Sequence, residues 1–380
     1  MAFGRVSARI SEKRAVLGGI SRNPPRNGRF SENASADAVR SCGTEANGPA
    51  CTNHFDQLLH SGGNNMVKSA IRKLVPSERI PALRRAAGPI MRPLEKWRAR
   101  REFLRDAQRY AKFMTPSDPL VFSGMPIANV ETQLTKDYNR VEKALTFKEP
   151  RRPFGTHVGD RIEDLMPRVD ARTELYAHAA SSTTALREWN AGGGVSDEIA
   201  PLTEPADRGV NDPEAFFLSR HSVRNFSDRP VADEDLQRAV TLAMSAPSVC
   251  NRQSWRVRFL RDDAALKARK FQNGNGGFGD IPVVAVVTTD LYRFCGPGER
   301  NQAWIDGGLF AMNLVMALHS IGIDSCMLNM SLTNDRIARA RAAIGIPEHE
   351  AVIMMVAIGY GEEGHRRARS PRRALDTVIR

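Results

Sequence analysis

The stretches Ser219-Arg220-His221-Ser222-Val223-Arg224-Asn225-Phe226 and Ala246-Pro247-Ser248-Val249-Cys250-Asn251-Arg252-Gln253-Ser254-Trp255 decide how this chain is read. Arg220, Ser222 and Arg224 alternate, so an extended backbone turns all three side chains the same way. Arg220 brings a bidentate fork, Ser222 a hydroxyl donor and Arg224 a second positive charge, and together they suit a phosphate. The same letters also describe a solvated basic turn. In the second stretch the side-chain amides of Asn251 and Gln253 both donate and accept, as a flat ring bearing carbonyls and ring nitrogens requires. Pro247 and Ser248 end the preceding helix and expose backbone groups.

The elements around these stretches follow from capping and periodicity. Asp212 is placed to cap a short helix with Pro213 in its first position and Ser219 near its end. Leu236, Ala239, Val240 and Ala243 recur at helical spacing, with Asp233 as the predicted N-cap. Trp255 to Leu260 alternates like a half-buried strand. Ile281 to Val287 and Ala351 to Ile358 are apolar throughout, as strands buried on both faces are, with Pro282 confined to a strand start. Trp304 to Ile321 is a helix apolar nearly all round, which assigns it to a core or a subunit interface. These elements predict an α+β fold, a mixed β-sheet sandwiched by helices. Gly274-Asn275-Gly276-Gly277-Phe278-Gly279 matches G-x-G-x-x-G but precedes a strand and opens no helix, so it is read as a glycine-rich turn rather than a dinucleotide fingerprint.

The two opening stretches resemble the nitroreductase family of flavin-dependent oxidoreductases, whose motifs read approximately R-R/H-S-x-R/K-x-F and A-P-S-x-x-N-x-Q-P-W. The resemblance continues through Asp306-Gly307-Gly308, Gly322-Ile323, Cys326-Met327-Leu328-Asn329, Ile346-Pro347 and Ala357-Ile358-Gly359-Tyr360-Gly361, covering about residues 210 to 380. It departs at Ser254, where the family has proline, and at Ser370, where it has lysine. The resemblance implies FMN in a groove of a homodimer, reduced by NAD(P)H and then reducing a second, small-molecule substrate in a ping-pong cycle. Carried over, Arg220 and Ser222 hold the phosphate with His221 assisting, and Arg224 lies nearer the N1 and O2 edge of the ring. Pro247, Ser248 and Asn251 meet the flavin from the partner chain with Gln253 close by, and the backbone from Met327 through Leu328 to Asn329 lies near N5. Asn273 or Asn275 approaches the ring. Arg372 is a second phosphate arginine, with Arg369 standing in for the missing lysine; these residues equally fit a frayed basic tail. The chemistry is borne by the cofactor, and no metal site is expected.

The whole chain divides into four parts. Residues 1–65 are rich in Gly, Ser, Asn, Pro and Arg and read as disordered. Residues 66–189 form a basic helical region, 190–210 a linker, and 211–380 the flavin-binding domain. The change of character at Met66 makes it a candidate start, and Cys42, Cys51, His54 and His60 fit no standard zinc spacing. Of a formal net charge of +12, much lies between Lys68 and Arg105. That run reads as a solvated helical face, or as a surface for anionic lipid or an acidic partner. It has no recognised nucleic-acid motif. Tyr138 to Leu145 followed by Arg151-Arg152-Pro153-Phe154-Gly155 resembles the N-terminal region of nitroreductase-like proteins of exopolysaccharide loci, although Asn139 and Ala144 depart from that pattern. Tyr138, Val141 and Leu145 share one helix face, predicted to pack on the flavin domain. The first residues lack an apolar core of the secretory kind, and the scattered cysteines form no disulfide framework, so a cytoplasmic place is expected. Two other roles fit the sequence: a flavin dehydrogenase or desaturase of a glycan pathway, and a non-catalytic flavin-binding accessory protein of polysaccharide biosynthesis.

Overall fold

The computed structural model describes residues 80–117, 123–202, 210–273, 275 and 277–379, with side chains from residue 93 onward. Residues 1–65, Met66, the four candidate zinc ligands and the basic side chains from Lys68 to Arg92 lie outside this set. The chain divides into compact units Met1–Arg85 and Ala86–Arg380, and everything below concerns the second.

Four helices come first: α1 (Ile80–Phe113), α2 (Ile127–Leu145), α3 (Thr156–Leu165) and α4 (Glu174–Asn190). The last three make a core of their own, in which Val130, Leu134, Tyr138, Val141 and Leu145 of α2 meet Ile162, Leu165 and Leu186. The face predicted from Tyr138, Val141 and Leu145 is therefore buried, against helices rather than directly on the sheet. Asp137 is fully buried at this junction and accepts two bonds from Arg161, at 2.6 and 2.7 Å. Such a pair tolerates burial because its geometry is bidentate. The end of α1 docks separately. Tyr110 and Phe113 pack with Leu291, Phe294, Ala303 and Ala351, and Thr115 exchanges backbone bonds with Phe294 and Gly296, each at 2.8 Å.

The C-terminal half holds α5 (Pro213–Ser219), α6 (Asp233–Ala243), β1 (Trp255–Leu260), α7 (Asp262–Arg269), β2 (Val283–Asp290), α8 (Gln302–Ser320), β3 (Asp324–Asn329), α9 (Asn334–Ile344) and β4 (Glu350–Gly359). The strand order is β1-β2-β4-β3, and every neighbouring pair is antiparallel. Parallel character enters this sheet's edge as a single bridge, Ser222 to Ser325. Every residue of β2 is buried. Its alternate residues serve two cores: Val283, Ala285 and Val287 pack with Phe310, Leu314 and Leu318 of α8, while Val284 and Val286 pack with Leu328, Ala340 and Met355. A continuous apolar run thus signals helices on both faces. α8 approaches closely because Gly307 has no side chain; a Cβ there would lie 2.5 Å from Ile353 Cγ1.

Asp212 caps α5 as predicted, accepting from the Ala215 amide at 2.8 Å. Asp233 does not cap α6. Ala232 holds that position, and Asp233 turns to accept from Arg261 at 2.7 Å. The ion pair, distant in sequence, outcompetes the local cap.

At the start of β4, Glu350 accepts from Arg258 at 2.6 and 2.7 Å and from the Thr288 hydroxyl. Burial pushes its carboxyl upward, but the bonds from Arg258 and Thr288 outweigh it and hold it below the ordinary glutamate range. Glu350→Gln should cost about 3 kcal/mol at pH 7, because it leaves a half-buried guanidinium unpaired. A depressed carboxyl adds stability above its unfolded pKa and loses it as pH falls through the folded one. The difference between wild type and variant in denaturant melts should therefore shrink as pH drops below about 4.3, the ordinary glutamate value.

Candidate functional site

The basic loop after α5 runs along the open edge of β3. Val223 is fully buried, and its amide donates to Ser325 O at 3.1 Å. Ser227 and Glu362 then close the loop onto the end of β4, through Ser227 N to Tyr360 O at 2.8 Å and Glu362 N to Asn225 O at 3.0 Å. With Val223 turned inward, Ser222 and Arg224 turn outward, as alternation predicts. Arg224 donates to Ser222 O at 3.2 Å. Among the described residues, Arg220 and Arg224 meet no carboxylate, and Arg220 and the Ser222 hydroxyl have no side-chain hydrogen bond. His221 does not stand beside them as a free donor, because its ring contacts His365 at 3.0 Å.

The outward-facing backbone of Ser325 sets the parity of β3. By strand alternation, Met327 and Asn329 turn their amides to the same open edge, while the Leu328 side chain is buried in the core. The backbone of Leu328, by the same parity, turns toward β4, whereas Met327 and Asn329 are exposed at the open edge. Gln272 covers part of it, donating to Asn329 O at 3.2 Å. Arg369 and Arg372 are not joined to the loop by any hydrogen bond among the described residues; Arg372 donates to Ser370 O at 2.6 Å. Asn273 accepts from Arg336 and Asn275 donates to Arg269 O, so both side chains brace the turn before β2.

The second stretch precedes β1, at the opposite edge of the sheet. Cys250, Asn251 and Gln253 all have positive φ, at 48°, 50° and 46°, a conformation that costs non-glycine residues energy and persists only where its surroundings enforce it. Those surroundings are specific. Ser248 Oγ accepts from Gln253 N at 3.0 Å, and Asp306 of α8 accepts from Val249 N at 3.2 Å. The buried Arg252 guanidinium donates to Val249 O, to Cys295 Sγ at 2.8 Å and to Glu299 at 2.7 Å. Burial raises the Asp306 carboxyl, against the bonds from Gln302 and Val249, and burial raises the Cys295 thiol despite Arg252. The outer side of the loop opens on a cleft of about 410 Å³ where Asn251, Gln253 and Arg256 face Tyr138, Arg168 and Arg293 of the helical region and the β2 end.

Three contributors were not singled out from sequence. Arg252 and Asp306 lie inside recognised motifs, but their work is to pin the loop. His365 reaches the basic loop from beyond the last motif, and no local pattern marks it. The strand order β1-β2-β4-β3, with the basic loop paired outside β3, places the two loops four inter-strand spacings apart, about 19 Å across the sheet. No hydrogen bond joins them among the described residues. Also among the described residues, no cluster of three metal-ligating side chains occurs and no helix is long and apolar enough to cross a membrane.

A helix-flanked antiparallel sheet, with an unpaired cationic loop on one edge and a strained amide-bearing loop on the other, defines a class of α+β ligand-binding fold. The model of the nitroreductase family matches residues 218–273 and 264–360. The chain is 30% identical over 154 residues to the "Putative NADH dehydrogenase/NAD(P)H nitroreductase" of Archaeoglobus fulgidus, covering 39% of this chain and 84% of that one. It is 28% identical over 203 residues to the NADH dehydrogenase of Thermus thermophilus, covering 45% and 96%. Among solved structures it resembles the FMN-dependent nitroreductase of Clostridium difficile R20291, at 21% identity and a TM-score of 0.36, covering 41% of this chain and 91% of that one. The chain belongs to the nitroreductase family, and it is an oxidoreductase.

Ser254, which stands where the family pattern has proline, is fully buried and its hydroxyl has no partner. Its carbonyl still accepts from Asp290 N at 2.8 Å. Ser254→Ala removes an unsatisfied buried hydroxyl and should raise stability by about 1 kcal/mol in denaturant melts; a loss of stability would show that the hydroxyl is satisfied.

Proposed function

We propose that this chain is an FMN-dependent oxidoreductase that takes hydride from NAD(P)H and reduces a second small molecule in a ping-pong cycle, working as a homodimer. The observation that carries the reading is the open cationic loop at residues 220–224, beside the outward amides of Met327 and Asn329. When bound, FMN supplies the ring that accepts and returns hydride.

Arg220 and Ser222 hold the phosphate, since their donors lack protein partners and a buried or half-buried donor seeks one. Arg224 places positive charge at the N1 and O2 edge of the ring, where negative charge gathers on reduction. The outward amides of β3 orient the N5 side. Pro247, Ser248, Asn251 and Gln253 belong to the other subunit's half of the site, which accounts for their place on the opposite edge of the sheet. α8 supports the dimer: Trp304, Ile305, Leu309 and Met312 form an exposed apolar stripe along it, the kind of patch that marks a subunit contact. The family relationship and the donors named for its relatives, NADH and NADPH, support the nicotinamide donor.

The domain division fits this reading, with 66–189 as the helical region, 190–210 as the linker and 211–380 as the flavin domain. The helical region, outside the matched family segment, walls the cleft beside Asn251 and sets which second substrate enters. That wall favours a substrate of its own; a glycan-pathway intermediate would follow only from the resemblance of residues 138–155 to nitroreductase-like proteins of exopolysaccharide loci. Trp97, Arg100, Arg101 and Phe103 leave α1 with an exposed basic and apolar face suited to an anionic lipid or acidic partner.

Arg220→Ala with Ser222→Ala should purify without flavin while keeping the wild-type circular dichroism and melting temperature, and full flavin occupancy would refute the assignment. Mixing the wild-type holoprotein with NADH or NADPH should bleach the bound flavin within the stopped-flow record; no bleaching with either donor would exclude the reductase.

A further inference from the structure

His221 and His365 form a contact that the roles above do not explain. His221 Nδ1 lies 2.9 Å from Ser219 O, and His365 Nδ1 lies 2.8 Å from Glu362 O. A carbonyl oxygen only accepts, so each Nδ1 carries a hydrogen. The two Nε2 atoms then face each other at 3.0 Å, with the rings end to end, their planes inclined by 24° and their centroids 5.4 Å apart. Two bare lone pairs at that distance repel, whereas one proton between them makes a charge-assisted hydrogen bond. With both Nδ1 atoms already protonated, that proton makes the pair a monocation.

The corner is built tightly around it. Gly361 N donates to Asp324 Oδ2 at 2.8 Å, and a Cβ on Gly361 would lie 2.6 Å from His365 Cε1 and 3.0 Å from Asp324 Oδ2. The charged and titratable groups about the pair are Arg220 and Arg224 on its own loop, Asp324 at the start of β3, His319 at the end of α8, and Glu362 and Arg366 on the C-terminal segment. His319 Nε2 contacts Ser219 Oγ at 2.9 Å, one residue before the loop. Two carboxylates, Asp324 and Glu362, thus stand against three arginines and the histidine cation, and the cluster keeps an excess of positive charge.

We propose that His221 and His365 share one proton, and that His365 is a positioning residue which makes this cationic pair part of the phosphate grip. The inference rests on the phosphate site proposed above. As pH rises the shared proton is lost, the segment from Glu362 onward is released from the loop, and affinity for a phosphate monoester falls. The phosphate itself does not cause this fall, because its second ionisation, near pH 6, is complete over the range concerned.

The test uses full-length protein freed of flavin. Nitrogen-15 spectra of the histidine rings at pH 7 should show two protonated Nδ1 atoms and one proton shared between the Nε2 atoms. FMN titrations followed by flavin fluorescence should show wild-type affinity falling about tenfold from pH 7 to pH 9, the loss of one charge-assisted bond, while riboflavin binding does not change. His365→Gln should bind FMN about tenfold more weakly at pH 7 with no further fall, and His365→Lys, which keeps its charge, should stay tight at pH 9. Two neutral rings at pH 7, or wild-type affinity and pH dependence in a folded His365→Gln, would overturn the proposal. If the spectra show the shared proton and inorganic phosphate perturbs Ser222 but FMN does not bind, the anion grip stands and the FMN reading fails.

Discussion

The site depends on how one edge strand is covered. β3 ends the sheet, and an exposed edge presents unpaired amides and carbonyls that invite other partners. Ser222 and Val223 cover its first half in parallel, with Val223 buried and bonded to Ser325. Because that pairing stops there, the basic side chains are set outward next to the uncovered amides of Met327 and Asn329. In the proposed site this would bring an anion on the loop and a ring on the strand side by side. The same pairing fixes His221 where His365 can reach it.

The opposite edge is organised by different forces. The loop before β1 holds three residues in left-handed conformations, and it can do so because Arg252 is buried against Cys295 and Glu299 while Asp306 holds the Val249 amide. These are costly interactions, with a guanidinium and a carboxylate both taken from water, and their return is a rigid presentation of Asn251 and Gln253. The sheet keeps this loop away from the basic loop of the same chain. In the proposed homodimer a second chain would resolve the separation, with the exposed apolar stripe of α8 as its contact.

The fold was legible where local chemistry acts alone. Asp212 and Pro213 announced α5, the apolar runs announced β2 and β4, and the alternation of Arg220, Ser222 and Arg224 announced which way they face. It was less legible where distant partners decide. Asp233 left its expected cap for Arg261, the sheet proved antiparallel in all four strands, and the Tyr138 face found helices of its own region. Within the site, the stretch from Met327 to Asn329 was read as backbone from the family resemblance, but which of its amides face outward follows only from the register of β3. His365 could not be read at all, because its partner lies 144 residues away and no periodicity links them. The match of motifs identified a family; the contacts of this chain show which residues pin those motifs.

The claim that two chains complete one site is tested most directly by mixed dimers. One chain carries Arg220→Ala and Ser222→Ala, the other Ser248→Ala and Asn251→Ala, and each alone forms a homodimer that retains no FMN. In the mixed dimer one site combines both damaged halves and the other both intact halves, so the account predicts one FMN per dimer by absorbance of the purified heterodimer. A heterodimer that binds none would place each site within a single chain and contradict it.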